Sequence, residues 1–558
     1  MKKKSIAMIL AVALTFSVVG CGNGTESDKA PAGDPVDREE KTGGEVQEDA
    51  AGTLKDTAEV DIWASYDEPV TITTVKRDLS SIIYPEGDNI DENGWTREYQ
   101  KRFNINLVNE WVSDDYDTKL NLQIAEGKLP DVFVVSAPQL KQLVEADMLY
   151  DLTDLYDTYA SDGIKGCEQA DESSFQSAVF NGRLYGLAQL GYGNIAQPDF
   201  VWIRQDWMKE YGLSAPETMD DLVNIARTFM KEKGGYGIAA DKSLEFLNLI
   251  AIGWGAHPNM WVRDDNGNIV YGSTTEEMKN ALADWAEWYQ EGIISPEFAT
   301  TDMVKANEDV INGKVGVMPY YNWWGFAVGA DHISKNGFDA IFSSYNVPSA
   351  NGEKVLQSIY CDNSSYVVIS KDCKNPEAVF KLINFYYYMA TDGPNEEPEL
   401  ANALNSNELP HTQMTTRIMD PTTLETEWGS INKACVTGDT TGIADKYVEH
   451  YNQIQDFLAD PLNNTEKTGE YCQCGFEGSP YTLGKECFDK GNYVENVLWA
   501  YMPETLGKTG STLGDIITEG FTKIIMGEEP ISYFDTVVEN LKTAGGEQAK
   551  REMEEFYK

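Results

Sequence analysis

The chain has 558 residues, enough for two to four domains at ~150 residues each, and its 42% apolar and 11% aromatic content excludes disorder throughout. It carries 91 acidic against 44 basic residues, a formal net charge of −47. Such a charge repels phosphate backbones, so we expect no nucleic-acid partner.

A basic and apolar leader opens the chain. Three lysines precede an apolar stretch at residues 6–19, a pattern typical of a secretory signal and too short for a stable membrane span. The leader ends in Val18-Val19-Gly20-Cys21, which resembles the bacterial lipobox, in which the Cys is diacylated. We therefore expect a lipoprotein signal peptide at 1–20 and a lipid on Cys21, which anchors the protein at the extracellular face of the cell membrane. The alternative is an ordinary cleaved signal with a chance Cys.

An acidic segment follows the leader. Residues 22–60 contain no aromatic residue, a single Leu, and eleven acids against four bases. Such a segment cannot bury enough surface to fold, so residues 21–61 are expected to form a disordered, self-repelling stalk. Folded structure should begin near Ile62.

Three cysteines lie close together late in the chain, at Cys472, Cys474 and Cys487. Their spacing matches no usual metal site, which favours local disulfides or free thiols over a metal site.

The first folded region alternates between strand and helix patterns. Residues 70–75 and 105–111 alternate like half-buried strands, and 132–136 form a short apolar run. Helical patterns occupy 95–103 and 114–126. This order predicts a parallel sheet covered on both faces.

Further helices are predicted along the rest of the chain. Thr218 and Asp221 form a capping box before an apolar stripe that continues to Phe229. Two more helices are expected at 275–291 and from Pro376 onward. The fold class is therefore α/β with more than one sheet.

Several segments resemble, in order, a known family. They are Ile124-Ala-Glu-Gly-Lys-Leu-Pro-Asp131-Val-Phe133, Asn181-Gly-Arg-Leu-Tyr-Gly-Leu187, Val201-Trp-Ile-Arg204-Gln-Asp206-Trp-Met208, Gly292-Ile-Ile-Ser-Pro-Glu-Phe298, Asn312-Gly-Lys-Val-Gly-Val-Met318, and Tyr366-Val-Val-Ile-Ser370 with Asn375-Pro-Glu-Ala378. Together they resemble the extracellular solute-binding proteins of ABC sugar importers, family 1, of the long Gram-positive lipoprotein type.

The resemblance implies a two-lobed, type II periplasmic-binding-protein-like fold whose lobes are joined by hinge crossings and close around a ligand. By analogy the N-lobe comprises 62–190 and 365–392, and the C-lobe 195–360 and 393–558. It further implies a lipid-anchored extracellular protein that captures a carbohydrate, expected to be an oligosaccharide, for the permease subunits of an ABC transporter. We expect a monomer without enzymatic activity.

Three alternatives for the function stay open. The chain could bind a non-sugar solute such as a peptide, serve as a surface glycan-binding sensor, or be a glycoside hydrolase, which needs two carboxylates across a cleft. With 91 acids the composition does not discriminate. The sequence contains no His-Glu-x-x-His, no Gly-x-Ser-x-Gly and no Walker loop, so no motif nominates catalysis.

Aromatic residues are the first candidates for ligand contacts, because flat apolar rings stack on sugar rings. The densest cluster lies at 320–324, just after an apolar strand, where open α/β sheets bind ligands. Consecutive side chains cannot all point one way, so about half should be core. We select Trp323 and Trp324, and add Trp254, whose glycine neighbours permit close approach.

The expected crossings between the lobes supply further candidates. Trp202, Arg204 and Asp206 lie at alternate positions of one strand at the first crossing and so share a face. An ion pair of Arg204 with Asp206 that braces the hinge explains the arginine equally well. Trp95 follows an early loop and is expected at the cleft rim.

The charge of the ligand is a separate question. Because only Arg204 and Arg183 can be placed near the cleft, neutral glycans are favoured over uronic acids.

The second crossing offers Tyr360, Asp362 and Asn363, a stacking ring beside two groups that can bind hydroxyls. An Asx-turn would explain Asp362 and Asn363 without a ligand.

One loop suggests calcium. Asp264, Asn266 and Asn268 place oxygen atoms at alternate positions, as at the start of an EF-hand loop, but the twelfth position is Thr275 rather than an acid. A β-hairpin turn explains the same residues. No cofactor is therefore expected, with calcium as the alternative.

Overall fold

The structure is a computed structural model that describes residues 60–78, 82, 84–190, 193–360, 365–405, 414–499 and 503–557. From Ile62 onward the described residues belong to the unit Ile62–Lys558. The predicted leader, the lipidation site Cys21, and the candidates Asp362 and Asn363 lie outside the described residues. Within the described part, no helix is both long enough and apolar enough to cross a bilayer.

The strands, labelled in chain order, are β1 Val70–Arg77, β2 Ile105–Ser113, β3 Val132–Val135, β4 Val179–Phe180, β5 Arg183–Leu184, β6 Leu187–Ala188, β7 Phe200–Arg204, β8 Trp261–Arg263, β9 Ile269–Tyr271, β10 Val317–Tyr320, β11 Phe342–Asn346, β12 Gln357–Ile359, β13 Tyr366–Ile369 and β14 Tyr493–Glu495.

The α-helices are α1 Gly94–Phe103, α2 Tyr116–Glu126, α3 Ala137–Glu145, α4 Thr153–Tyr159, α5 Asp162–Ala170, α6 Glu172–Gln176, α7 Gln205–Glu210, α8 Met219–Lys233, α9 Glu245–Ile250, α10 Glu276–Glu291, α11 Met303–Ile311, α12 Ala330–Asn336, α13 Pro376–Thr391, α14 Gly393–Glu396, α15 Pro398–Asn405, α16 Thr423–Thr437, α17 Val448–Ala459, α18 Thr468–Cys474, α19 Pro480–Asp489, α20 Glu504–Ile525, α21 Phe534–Leu541 and α22 Glu547–Phe556.

A five-stranded sheet in the order β2-β1-β3-β13-β6 forms the centre of the N-lobe. β1 pairs in parallel with both β2 and β3, as the alternating strand and helix patterns predicted. β13 returns much later in the chain and pairs antiparallel with β3 and β6. Helices α1 and α13 pack on this sheet through Tyr99, Phe103 and Phe385, whose rings meet edge to face.

A three-stranded antiparallel sheet in the order β10-β7-β11 forms the centre of the C-lobe. The predicted capping box is present, since Thr218 and Asp221 cap α8 reciprocally.

The later part of the chain contributes to both hydrophobic cores. Met414 and Ile418, which lie in the segment 393–558 predicted for the C-lobe, pack in the N-lobe core, whereas Phe521 of α20 packs in the C-lobe core. The lobe boundaries stay a prediction.

The first and second crossings between the sheets are tied together by a buried side chain. The first crossing leads from β6 to β7, and the second from β12 to β13. The side chain of Gln357 accepts a hydrogen bond from the backbone N–H of Asp199 at 2.9 Å and donates one to its carbonyl at 3.2 Å. Both residues are almost fully buried. The amide therefore satisfies two backbone groups that would otherwise be unpaired.

A third crossing leads from the N-lobe core to α16 and contacts the first. Gln189 donates to the carbonyls of Thr415 and Arg417, at 3.3 and 3.1 Å, and accepts from the Ser365 hydroxyl at 2.9 Å. Gly193 has φ +85°, and a Cβ there would lie 1.9 Å from the carbonyl oxygen of Pro421. Only glycine permits this approach of two backbones.

Candidate functional site

The candidate site lies where the C-lobe sheet meets the crossings. In the β10/β7 pair, Tyr320 is opposite Phe200, so the residues just beyond this register, Tyr321 and Asp199, lie at the same edge of the sheet. Helix α9 begins at Glu245, and the Tyr321 hydroxyl donates a hydrogen bond to the Glu245 carboxylate. The sequence therefore brings two acids and a tyrosine to one edge from separate segments.

Burial raises the pKa values of Glu245 and Tyr321. The pKa of the Glu245 carboxyl is raised, mainly because the group is buried and also because Asp241 is close, while the bond from Tyr321 acts in the opposite direction. The pKa of the Tyr321 phenol is raised by burial and by the Glu245 charge. The proton of this hydrogen bond therefore stays on Tyr321.

Asp199 is the most unusual member of the site. Its side chain is 1% exposed, and its Oδ1 has no hydrogen-bond partner. No described Lys or Arg forms an ion pair with it. Burial, followed by the charge of Glu245, raises the pKa of its carboxyl well above the usual value. A buried acid without a partner costs free energy of folding, which is typical of a residue that serves a site rather than the fold.

Aromatic rings surround these acids. The rings of Tyr321 and Trp323 stack with centroids 5.3 Å apart and planes at 10°. Tyr360 is 37% exposed, yet surrounding protein and the charges of Asp199 and Glu245 raise the pKa of its phenol well above the usual value. Its ring is therefore still accessible to solvent beside the two acids. The site thus offers ring faces beside carboxyl and phenol groups, a set suited to a ligand rich in hydroxyls.

Two predicted contact residues belong to the C-lobe core instead. Trp202 and Trp324 have no exposed surface, and their rings stack on each other with centroids 5.1 Å apart. The Trp202 indole N–H donates to the Tyr321 carbonyl at 3.1 Å. A ring covered by protein has no free face for a ligand, so in this structure the pair supports the backbone that carries Tyr321.

Trp254 and Trp95 are buried as well. The Trp254 indole N–H donates to Asp284 at 2.8 Å, and its ring packs against Trp285 and Trp288. Trp95 is 2% exposed and stacks on Tyr386 in the N-lobe core, not at a rim. The physical reason is the cap of α1, because Asn93 starts the helix at Gly94 and thereby directs Trp95 inward.

Arg204 is held by its neighbour. Its guanidinium forms two hydrogen bonds with Asp206, at 2.7 and 2.9 Å, and lies over the Trp207 ring. Asp206 lies in α7 rather than on the strand, because β7 ends at Arg204. The structure therefore contains the ion pair of the alternative account, at the end of β7 away from the first crossing, which enters the strand at Phe200.

Of the predicted contacts, Trp323 and Tyr360 remain accessible near the acids, while Asp362 and Asn363 lie outside the described residues. Sequence reasoning missed Asp199 and Glu245. Each is a single acid directly before a mostly apolar run, 200–203 and 246–250 respectively. That placement of a charge at the start of a buried element is the signal that could have found them.

The suggested calcium loop forms a hairpin turn between β8 and β9. Asp264 Oδ1 accepts hydrogen bonds from the backbone N–H groups of Asn266 and Asn268, at 2.9 and 2.8 Å, and Oδ2 accepts from the Asn268 amide. Among the residues that the structure describes, no group of three or more His, Cys, Asp or Glu is arranged to hold a metal ion. Calcium binding at this loop remains an untested prediction.

Comparisons with known proteins extend this picture. The profile of the family described as bacterial extracellular solute-binding protein matches residues 85–388, more than half of the chain. Lipoprotein LipO of Bacillus subtilis is 24% identical over 502 residues, covering 86% of this chain and 91% of that protein. The fructooligosaccharide ABC transporter substrate-binding protein FusA of Streptococcus pneumoniae is 24% identical over 309 residues, covering 50% and 55%. A solved structure of an HMO binding, ABC-transporter-associated solute-binding protein of Bifidobacterium longum infantis matches with a TM-score of 0.59 at 15% identity, covering 88% of this chain and 99% of that one.

The two sheets, the crossings and the recessed site define a two-lobed binding protein. The chain belongs to the bacterial extracellular solute-binding protein family. The structural match also confirms the predicted type II periplasmic-binding-protein-like fold.

Proposed function

We propose that the protein captures an oligosaccharide outside the cell and delivers it to the permease of an ABC transporter. The observation that carries this proposal is the cluster of Asp199, Glu245, Tyr321, Trp323 and Tyr360 beside the crossings. Ring faces cover the C–H side of a sugar, and carboxyl and phenol groups bond its hydroxyls.

The relatives support the same class of ligand. FusA is named for fructooligosaccharides, and the matching Bifidobacterium protein is described as HMO binding and associated with an ABC transporter. Both belong with binding proteins rather than with enzymes, so we propose that this chain binds its ligand without cleaving it. LipO is named as a lipoprotein, which supports our proposal of a lipid anchor on Cys21. We further propose that the protein acts as a monomer.

Binding and closure are coupled in this proposal. Asp199 and Tyr360 lie directly at the first and second crossings, which Gln357 joins. A ligand held by these residues and by the N-lobe would favour the closed arrangement only through the contacts that the open one lacks.

The test is a calorimetric titration with a panel of neutral and acidic oligosaccharides. For the best ligand, Trp323→Ala should weaken binding about tenfold, because a stacking face is lost. Trp63→Ala is the matched control, since Trp63 is 42% exposed on the N-lobe, and it should leave the affinity unchanged. An equal effect of both variants, or binding of no oligosaccharide at all, would overturn the proposal.

A further inference from the structure

Two basic side chains near the crossings form no ion pair with any acid that the structure describes, although the chain has 91 acids and 44 bases. Most described arginines face a carboxylate, namely Arg77, Arg97, Arg102, Arg183, Arg204, Arg227 and Arg551. In such an acidic protein an unpaired, enclosed cation is the rarer arrangement. An anionic group of a ligand would stabilise such a cation.

Lys76 is the first of these cations. It is the last but one residue of β1 and is 4% exposed, and its side-chain amine makes no hydrogen bond or ion pair with any described residue. The charge that acts on it is that of Asp91, whose carboxylate already accepts a hydrogen bond from Asn109 at 2.8 Å. Burial lowers the pKa of the Lys76 amine to about 8, so it is still a cation at neutral pH.

Arg417 is the second. It lies on the third crossing and is partly buried, and its Nε is enclosed without a hydrogen-bond partner. In the part of the chain that the structure describes, its guanidinium forms no ion pair. Its backbone is fixed, because its carbonyl accepts from Gln189 and its N–H donates to the Met414 carbonyl at 3.1 Å. The backbone of Arg417 is therefore fixed, and the Nε of its guanidinium lacks a hydrogen-bond partner among the described residues.

One contact joins the two segments that carry these cations. The hydroxyl oxygens of Thr74 and Thr415 are 2.9 Å apart in a buried hydrogen bond. Lys76 lies two residues beyond Thr74, on the same face of β1 and about 7 Å further along the strand. Arg417 lies two residues beyond Thr415 in a tight turn. Both side chains are long enough to reach one anionic group.

We propose that Lys76 and Arg417 form a subsite for the carboxylate of an acidic sugar, so that the ligand is an oligosaccharide that contains uronic acid. This inference rests on the proposed function and names its substrate class. A guanidinium can bind a carboxylate through two parallel hydrogen bonds, and a buried ammonium adds charge.

An acidic ligand differs from the neutral glycan that the sequence favours. A neutral ligand was favoured because only Arg183 and Arg204 could be placed near the cleft, but Asp151 and Asp206 neutralise these two. In this proposal Lys76 and Arg417, on the N-lobe side, bind the carboxylate of the ligand, while Asp199 and Glu245 contact its hydroxyls. Since both acids have raised pKa values, they repel an anionic ligand less than ordinary carboxylates would.

The experiment is calorimetric titration of the full chain with trimers of galacturonate, mannuronate and glucuronate, each paired with its neutral methyl ester. At least one acid should bind about tenfold or more tightly than its ester. Arg417→Gln and Lys76→Met should remove most of this preference, and Arg417→Lys should keep part of it. The controls Arg227→Gln and Lys279→Met remove surface cations that already have partners, and should change nothing.

The outcomes separate this inference from the proposed function. If neutral oligosaccharides bind but no acid exceeds its ester, or if Arg417→Gln leaves the preference intact in a folded protein, the subsite is overturned and carbohydrate capture stands. If no oligosaccharide of either kind binds, both are overturned.

Discussion

Asp199 shows how one residue can oppose the stability of the fold and still serve the site. Its carboxyl is buried and its Oδ1 has no hydrogen-bond partner among the described residues, and burial and the Glu245 charge raise its pKa well above the usual value. Protein sites often retain such costly groups because a ligand satisfies them. The backbone of Asp199, in contrast, is fully bonded to Gln357.

Asp199→Asn is therefore predicted to stabilise the fold and weaken binding. For an acid with a raised pKa, the folded state binds more protons than the unfolded state, so its contribution to stability is present below the unfolded pKa and is lost as pH rises through the folded pKa. At pH 8 the amide should raise the free energy of unfolding by roughly 1–2 kcal/mol, with a smaller gain at pH 4.

Urea denaturation at both pH values, together with a titration of the best ligand, measures these effects. Asp264→Asn is the control, since Asp264 is an exposed turn acid with a lowered pKa. Equal stability of Asp199→Asn and the natural chain at pH 8 would show that this carboxyl does not destabilise the fold, and unchanged ligand affinity would show that it does not contact the ligand.

At the scale of elements, the amide of Gln357 joins the first and second crossings. Gln357→Ala should cost about 2–4 kcal/mol, because it leaves a buried N–H and a buried carbonyl of Asp199 unpaired. Gln290→Ala, on the exposed face of α10, should stay within about 0.5 kcal/mol of the natural chain. Chemical denaturation compares the two, and a similar small effect of both would contradict the role assigned to Gln357.

Contact between the first and third crossings depends on Gly193. Gly193→Ala should destabilise the protein by at least about 2 kcal/mol more than Gly212→Ala, because only the former brings a Cβ against the Pro421 carbonyl. Both glycines have positive φ, and nothing lies within 4 Å of a Cβ at Gly212. The comparison thus separates backbone strain from close approach. Equal losses in thermal unfolding would refute the direct backbone contact.

Much of the element pattern was predictable from the sequence, because it depends on local signals. Period-two alternation located β1 and β2, and the capping box located the start of α8. The site was less predictable. In a sheet packed on both faces, alternation cannot tell which face meets a ligand, so Trp202 was assigned to the cleft although it is core. Asp199 and Glu245 come together only through tertiary packing, which no local pattern contains.

At the scale of the whole molecule, the two sheets and their cores are joined by narrow crossings, and the site lies at that junction. Such an arrangement permits hinge motion, since few contacts need to change when the lobes close. Small-angle X-ray scattering should therefore show a smaller radius of gyration with ligand than without it. A folded Gln357→Ala variant should show a broader distribution of interatomic distances in the ligand-free state than the natural chain. An unchanged radius on saturation would contradict ligand-induced closure.

The measurement that tests the central claim most directly is a thermal-shift screen of the protein against neutral and acidic oligosaccharides, with calcium and with EDTA. Specific binding to the native state raises the melting temperature by mass action, by an amount that grows with ligand concentration. We predict a dose-dependent rise with one class of glycan, with mass spectrometry recovering that glycan intact. Cleavage of the glycan would indicate a glycoside hydrolase, and a melting temperature that no oligosaccharide changes would contradict carbohydrate capture.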